Sequence, residues 1–336
     1  MDSLQEVYHP TVSVVIPTFN STRTLRKCLE SVRNQEYPKD KVEVIIIDGG
    51  SRDDTLKIAA EFNAEKILKN PLRTGEAGKA LGIRNARNQL VAFIDSDNIL
   101  PSQDWLTMMT RPFADQQIVC SEPLYYTYRR EDHVITRYCS LVGMNDILCL
   151  FLGNYDRYCY LTGKWTGLKV QAHDLGDYII VELESKNIPT IGANGFLVRR
   201  ELLEQLDYYP YMFDVDIVYQ LVQRGFSRFA KVKVGIVHLF ASSTTGYIRK
   251  TRRRISDYDF YEKHGLRRYP WKALNIVGIL KFVLSTLFAP SLLVEVAKGN
   301  QKKPDVAWLY HVVACWTTLL TYGITYAWSR TTRNQH

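Results

Sequence analysis

The sequence predicts an α/β fold with a parallel sheet, followed by a helical membrane region. Three observations lead there. Short continuous apolar runs stand at 12–16 (VSVVI), 42–47 (VEVIII) and 91–94 (VAFI), each ended by a polar turn. The segments between them carry helical spacing: Leu25, Leu29 and Val32, then Leu56, Ile58, Ala59 and Phe62. Buried strands alternating with helices imply βαβ units. Finally, residues 306–328 form a run of 23 residues without Asp, Glu, Lys or Arg.

Each element has its own warrant. Pro17 closes the first strand and Asp48 the second, while Asp95 follows the third. In parallel sheets ligands bind outside the carboxyl ends of the strands, which places Thr18, Asn20, Asp48, Asp95 and Asp97 where a ligand would lie. At 1.5 Å per residue, the 306–328 run is long enough to cross a ~30 Å hydrocarbon layer. Trp308 and Tyr310 stand at one end and Tyr326 and Trp328 at the other, the placement of an aromatic belt. Residues 274–297 form a second candidate span, interrupted by Lys281, Pro290 and Glu295. Together they predict a helical hairpin turned by 298–304, with a catalytic domain at 1–262 and a membrane region at 263–336.

Charge distribution agrees with that division. Residues 249–336 carry 15 Lys and Arg against 5 Asp and Glu, a net +10, whereas residues 1–248 carry 28 against 30, a net −2. The basic excess therefore coincides with the apolar segments, which favours an anionic lipid surface over nucleic acid. Lys263, Arg267, Arg268, Lys272, Arg330 and Arg333 flank one side of the hairpin, and Lys298, Lys302 and Lys303 the other, so the large domain is expected on the cytoplasmic side of an integral membrane protein. No apolar h-region follows the first residues, so no signal peptide is expected. Six cysteines without a CxxC pair exclude a disulfide scaffold and a structural zinc site. Cys139, Cys149 and Cys159 read as buried thiols.

The first strand is not followed by GxGxxG, and Walker A is absent. A carboxylate pair stands at the third strand instead. Asp95 and Asp97 can reach a divalent cation and the sugar or ribose of a nucleotide, and hard oxygen ligands suit Mg²⁺ or Mn²⁺.

The blocks VSVVIPTFNSTRTLRKCLESVRNQ, VEVIIIDGGSRDDT and VAFIDSDNILP, about residues 11–101, resemble the nucleotide-binding half of a family-2 glycosyltransferase of the GT-A fold. That fold is a Rossmann-like mixed sheet with flanking helices. The resemblance implies that Pro17, Thr18, Asn20 and Asp48 hold the nucleoside and that Asp95 and Asp97 serve the metal. The family's usual DDGS is Asp48-Gly49-Gly50-Ser51 here, so one acidic position is lost and base recognition differs. Asp53 reads mainly as a helix-start carboxylate. Lys79, in GEAGKALGIRNARN, stands where the family often has a basic residue for the diphosphate.

Residues 192–226 resemble the family's acceptor-side block. FDVDI stands where the family has an acidic residue and Asp-x-Asp. Asp214 thereby matches the catalytic base, with Phe213 replacing the usual Glu, and Asp216 reads as structural. His238, after the apolar run VKVGIV, matches a metal-binding His, the third ligand beside Asp95 and Asp97. Five of the six residues 249–254 are basic; they suit a lipid headgroup or a diphosphate, with Arg252 the candidate contact.

The whole plan is similar to minimal cellulose-synthase-like enzymes and to archaeal lipid-linked-oligosaccharide mannosyltransferases. It implies an inverting transfer from a nucleotide sugar, GDP-mannose first and UDP-sugars next, to a hydroxyl of a polyprenyl- or dolichyl-linked saccharide. Membrane lipids are expected partners and nucleic acid is not. Two readings stand beside this one: a polyprenyl-phosphate glycosyl synthase of the dolichol-phosphate-mannose type, whose ionised acceptor needs no base, and a catalytically silent membrane scaffold.

Overall fold

The three apolar runs lie side by side. A computed structural model describes residues 8–270 and 275–333 of the chain. Its first half runs β1 (Val12–Thr18), α1 (Thr22–Arg33), β2 (Val42–Asp48), α2 (Thr55–Glu61), β3 (Lys66–Lys69), α3 (Gly75–Asn85), β4 (Leu90–Phe93), β5 (Asn98–Ile99), α4 (Trp105–Thr110), β6 (Cys120–Tyr126), α5 (Val134–Val142) and α6 (Leu148–Leu152). The second half continues with β7 (Gln171–Asp174), β8 (Tyr178–Glu182), β9 (Phe196–Arg199), α7 (Arg200–Leu203), α8 (Asp214–Gln223), β10 (Arg228–His238), α9 (Thr244–Lys263), α10 (Ile276–Leu287), α11 (Ala289–Lys302) and α12 (Tyr310–Arg333).

The chain forms two compact units, and their boundary does not fall at residue 262. One unit comprises residues 1–124 and 170–238, the other residues 125–169 and 239–336. In the first, strand order is β3-β2-β1-β4-β9-β6-β10-β8-β7, with β5 paired to β10. β1, β2, β3 and β4 pair in parallel, while β4 meets β9 in antiparallel fashion. The sheet is therefore mixed, as the GT-A expectation requires. Val14, Val15, Ile45, Ile46, Ala92 and Phe93 are fully or almost fully buried, because helices cover these central strands, whereas the edge strands β3 and β7 are open to water.

The register fixes the site. Thr18 pairs with Asp48 at the ends of β1 and β2. His238, the last residue of β10, pairs with Asn98 on β5, so the Asp95–Asn98 turn meets the end of a strand 140 residues further on.

The second unit is helical. Its core gathers Tyr138, Leu141, Met144, Ile147, Tyr155, Tyr247, Phe282, Leu292 and Trp308, so the apolar stretch 141–152 is largely core. The membrane hairpin expected from the sequence is not formed by two straight spans. Residues 274–297 divide into α10 and α11, which turn by 96° at a break. Phe288 has φ −92° and ψ 76°, outside the helical region, and Pro290 begins the next helix. Among the described residues no single helix is long and apolar enough to cross a membrane; α10 and α11 pass that test only as a bent pair. Part of the 306–328 run is core: Ala307, Trp308, His311, Ala314 and Cys315 are buried. His311 links Tyr138 Oη (2.8 Å from Nδ1) to Glu295 Oε2 (2.7 Å from Nε2). Lys272 and Leu274, and the side chains of Tyr326, Trp328, Arg330 and Arg333, lie outside the described residues, as do the first seven residues. All six cysteines are free thiols, five of them buried.

Candidate active site

Four polar groups meet at the carboxyl edge of the parallel strands in the first unit. The first is the turn after β2. Asp48 Oδ2 accepts from the N–H groups of Gly50 and Ser51, each at 2.8 Å. Its Oδ1 accepts from Ser51 Oγ at 2.5 Å and Thr18 Oγ1 at 3.1 Å. Four donors fill the acceptor sites of this carboxylate, so Asp48 builds its own turn rather than standing open to a base. Asn20, in the left-handed region at φ 48°, accepts from Arg52 N–H and donates its own N–H to Ser51 Oγ. Thr18, Asn20 and Asp48 thus form one framework. Beside it the Phe19 ring is 53% exposed. A Cβ on Gly49 would come within 3.4 Å of that ring and 3.3 Å of the Arg73 carbonyl oxygen, so the turn is tightly packed at the position where the family has its second acidic residue. Phe19 was not singled out from the sequence; its place beside a strand-end turn was the available signal.

Asp53 Oδ1 accepts from Thr55 N–H and Oδ2 from Thr22 N–H, tying the starts of α1 and α2. Slight burial opposes ionisation, but these bonds and the threonine hydroxyls outweigh it and hold the carboxyl at about 2.

The second group is the base candidate. Asp214 is the first residue of α8, whose Val215, Ile217, Val218 and Leu221 face the core. Helix N-termini favour a carboxylate. Lys79, on the buried face of α3, places Nζ 2.8 Å from Asp214 Oδ1 and 3.1 Å from Oδ2. Burial raises the Asp214 carboxyl to about 6, against the pull of Lys79 and with help from the charges of Asp95 and Glu76. Burial by itself would lower Lys79, but the charges of Asp214 and Asp95 and the bond to Asp214 raise it, so the ammonium stays protonated. The Asp214 side chain keeps 23% exposure, enough for a hydroxyl to approach. Lys79 is thus paired with Asp214, the group the sequence did not pair it with when it pointed Lys79 toward a diphosphate. Gly192 makes this placement possible: at φ +119° its would-be Cβ lies 2.8 Å from Asp214 Cβ. Asp216 is buried in α8, as a structural role requires.

The third group is Asp97 with His238, whose Oδ1 and Nε2 are 3.4 Å apart. The expected three-ligand set is not gathered. Among the described residues no cluster of three His, Cys, Asp or Glu side chains is arranged to hold a metal. Asp95 follows β4 and opens the turn that carries Asp97, and the charge of its carboxylate acts on Lys79 and Asp214. One carboxylate and one imidazole fit a divalent ion that takes its remaining oxygens from water and phosphate.

The fourth group holds this turn. Asp95 N–H donates to Asn98 Oδ1 at 3.0 Å, and Asn98 Nδ2 donates to Asn194 Oδ1 at 2.9 Å. Asn194 escaped sequence reasoning because its partner is 96 residues away. Arg252 lies in the second unit, exposed on α9 in a groove of about 440 Å³ shared with Ile248, Arg249 and Arg253. Pro17, at the edge of the site, packs against α3 at Gly78.

Comparison with known proteins follows the same geography. The pattern of glycosyl transferase family 2 matches residues 13–206. The chain is similar to the glycosyltransferase AglE of Haloferax volcanii, 38% identical over 141 residues, which are 40% of this chain and 46% of that protein. It is also similar to the dolichyl N-acetyl-alpha-D-glucosaminyl phosphate 3-beta-D-2,3-diacetamido-2,3-dideoxy-beta-D-glucuronosyltransferase of Methanococcus voltae, 36% identical over 101 residues, 28% of this chain and 31% of that protein. These matches span less than half the length of either relative. In fold it is similar to the mannosyltransferase PcManGT of Pyrobaculum calidifontis, solved with GDP-Man and Mn²⁺. The TM-score is 0.54 at 17% identity, over 94% of this chain and 87% of that one.

Proposed function

The chain belongs to glycosyl transferase family 2, and from that premise we propose a metal-dependent, inverting hexosyl transfer with Asp214 as general base. The observation that carries this reading is the Asp214–Lys79 pair: a carboxylate raised to about 6 yet still reachable from solvent. A sugar hydroxyl is a poor nucleophile at neutral pH and must lose its proton as it attacks the anomeric carbon. A positioned carboxylate with a pKa near the working pH accepts that proton. Attack opposite the leaving group inverts the centre and needs no covalent intermediate. Lys79 keeps the carboxylate ionised in a buried place and fixes its orientation through two hydrogen bonds.

Asp97 and His238 are the residues that would hold Mn²⁺ or Mg²⁺. When bound, such an ion supplies Lewis-acid stabilisation of the departing diphosphate. The Asn20–Ser51–Asp48 framework and the exposed Phe19 ring shape a place for the nucleoside. The donor is GDP-mannose first and a UDP-sugar second; the GDP-Man complex of the fold relative supports that order.

The acceptor in this reading is a saccharide on a polyprenyl or dolichyl carrier, as the dolichyl-linked substrate in the name of the Methanococcus voltae relative supports. The chain sits at a membrane with its catalytic unit on the cytoplasmic side. Exposed Ile276, Val277, Leu280, Leu284, Leu287 and Phe288 on and beside α10 support contact with lipid. Arg249, Arg252 and Arg253 adjoin a second groove lined by Ile248, Val313, Trp316, Leu320 and Ile324, a pairing suited to anionic lipid.

The test is calorimetric titration of the full chain in detergent with GDP, UDP and their sugars, with Mn²⁺ and with EDTA. Metal-dependent binding of one nucleoside diphosphate, with slow metal-dependent hydrolysis of its sugar, is the expected result. A folded protein that binds no nucleotide would instead be a silent scaffold.

A further inference from the structure

A fully buried charge pair in the first unit is linked through one backbone N–H to the loop that lies against Asp214. Glu122 on β6 and Lys231 on β10 are both fully buried, with Lys231 Nζ 2.6 Å from Glu122 Oε2. A buried ion pair of this kind seldom gains stability over an apolar pair of equal volume. Its other carboxylate oxygen has a specific task. Glu122 Oε1 accepts from Gly192 N–H at 2.9 Å.

Gly192 opens a short loop that touches both halves of the site. At Gly192 the backbone lies against Asp214, where a methyl group would stand 2.8 Å from the aspartate Cβ and 2.9 Å from its carbonyl oxygen. Two residues on, Asn194 Oδ1 accepts from Asn98 Nδ2, and Asn98 Oδ1 accepts from Asp95 N–H. Gly195 N–H then donates to the Phe93 carbonyl at 2.9 Å, just before that turn. Gly192 and Asn194 both have positive φ, at +119° and +49°. Such a backbone keeps its shape only where surrounding bonds over-determine it.

We propose that Glu122 and Lys231 are positioning residues for catalysis: through the Gly192 N–H they hold the 192–195 loop, which sets Asp214 relative to the Asp95–Asn98 turn. Lys231 keeps the Glu122 carboxylate ionised and aimed, and Glu122 supplies the acceptor that anchors the loop. The proposal rests on the reading of Asp214 as the base. Its main consequence falls on the chemical step, because the anchored Gly192 backbone lies against Asp214 and none of these residues lines the nucleoside framework.

Two double variants separate positioning from simple stability. Glu122→Gln/Lys231→Met removes both charges and keeps an amide oxygen for Gly192 N–H. Glu122→Leu/Lys231→Met removes the charges and the acceptor together. Transfer from the donor chosen by the nucleotide screen is measured on folded protein, with kcat and donor KM resolved separately. The expected result is near wild-type kcat for the Gln/Met protein and a kcat loss of about tenfold or more for the Leu/Met protein, at unchanged donor KM. Equal kcat in the two proteins overturns the proposal, whether both are active or both impaired. If the Leu/Met protein does not fold, Glu122→Met/Lys231→Met decides, because its unbranched side chains follow the native ones and still lack the acceptor for Gly192 N–H: a similar kcat loss at unchanged donor KM supports the positioning role, and wild-type kcat overturns it. Asp214→Asn is the control. Wild-type transfer by Asp214→Asn removes the base assignment itself, whereas an inactive Asp214→Asn beside a fully active Leu/Met protein removes only the positioning role.

Discussion

Lys79 Nζ stands 2.8 Å from Asp214 Oδ1, joining two residues 135 positions apart. The bond unites α3, which packs on the parallel strands, with the first residue of α8. It makes the protonation of Asp214 depend on α3, and most of the testable chemistry follows from it.

Asp214→Asn is isosteric and cannot accept a proton. Transfer should fall by about 10²–10⁴-fold, while GDP or UDP binding with Mn²⁺ stays within experimental error in a calorimetric titration. Near wild-type transfer would assign the base elsewhere.

The pH dependence has a definite sign. Asp214 must be deprotonated to act, and its carboxyl is raised to about 6. The rate should therefore be full above that value and decline as pH falls through it. In Lys79→Met the favourable charge is gone while burial, Asp95 and Glu76 still raise the carboxyl, so the acid limb moves to higher pH. Burial costs the ionised carboxylate, so Asp214 also lowers folding stability as pH rises from its unfolded value near 4 toward 6. A Lys79→Met profile with an unmoved or lowered limb would refute this coupling.

Asp97→Asn and His238→Ala each remove one of two facing ligands. Either change should raise the Mn²⁺ concentration needed for half-maximal activity by about tenfold or more, with the thermal transition of the metal-free protein little changed. Asp95→Asn should differ, because the Asp95 charge acts on Lys79 and Asp214; its effect should appear in the pH profile as well as in metal titration. Identical behaviour of Asp95→Asn and Asp97→Asn in both measurements would restore a three-ligand centre.

Membrane contact is testable on α10, where Leu280 and Leu284 are exposed one helical turn apart. Leu280→Glu/Leu284→Glu should reduce flotation with vesicles containing anionic lipid, and nucleotide binding should persist. Undiminished flotation would exclude this face from lipid contact.

The sequence by itself determined the local elements and their order. Continuous apolar runs separated by helices of the right spacing are buried strands here, so the parallel half and its polar strand ends were legible, as was the burial of Cys139 and Cys159, whereas Cys149 is only half-buried. The resemblance to the family, carried by the blocks around them, brought Asp214 and His238 to notice. Only the tertiary structure decided which groups meet. The pairing of β10 with β5 puts His238 against Asp97, while the charge of Asp95 acts on Lys79 and Asp214. The turn after β2 closes on Asp48 and fills its oxygens. The approach of α3 to the start of α8 pairs Lys79 with Asp214. Hydropathy counted enough apolar residues in 274–297 for a span, yet the non-helical Phe288 and the following Pro290 turn that span by 96°. The reason is common to all of these. Apolar burial is written in local periodicity, whereas hydrogen bonds, charge pairs and backbone breaks depend on which distant groups arrive at the same place.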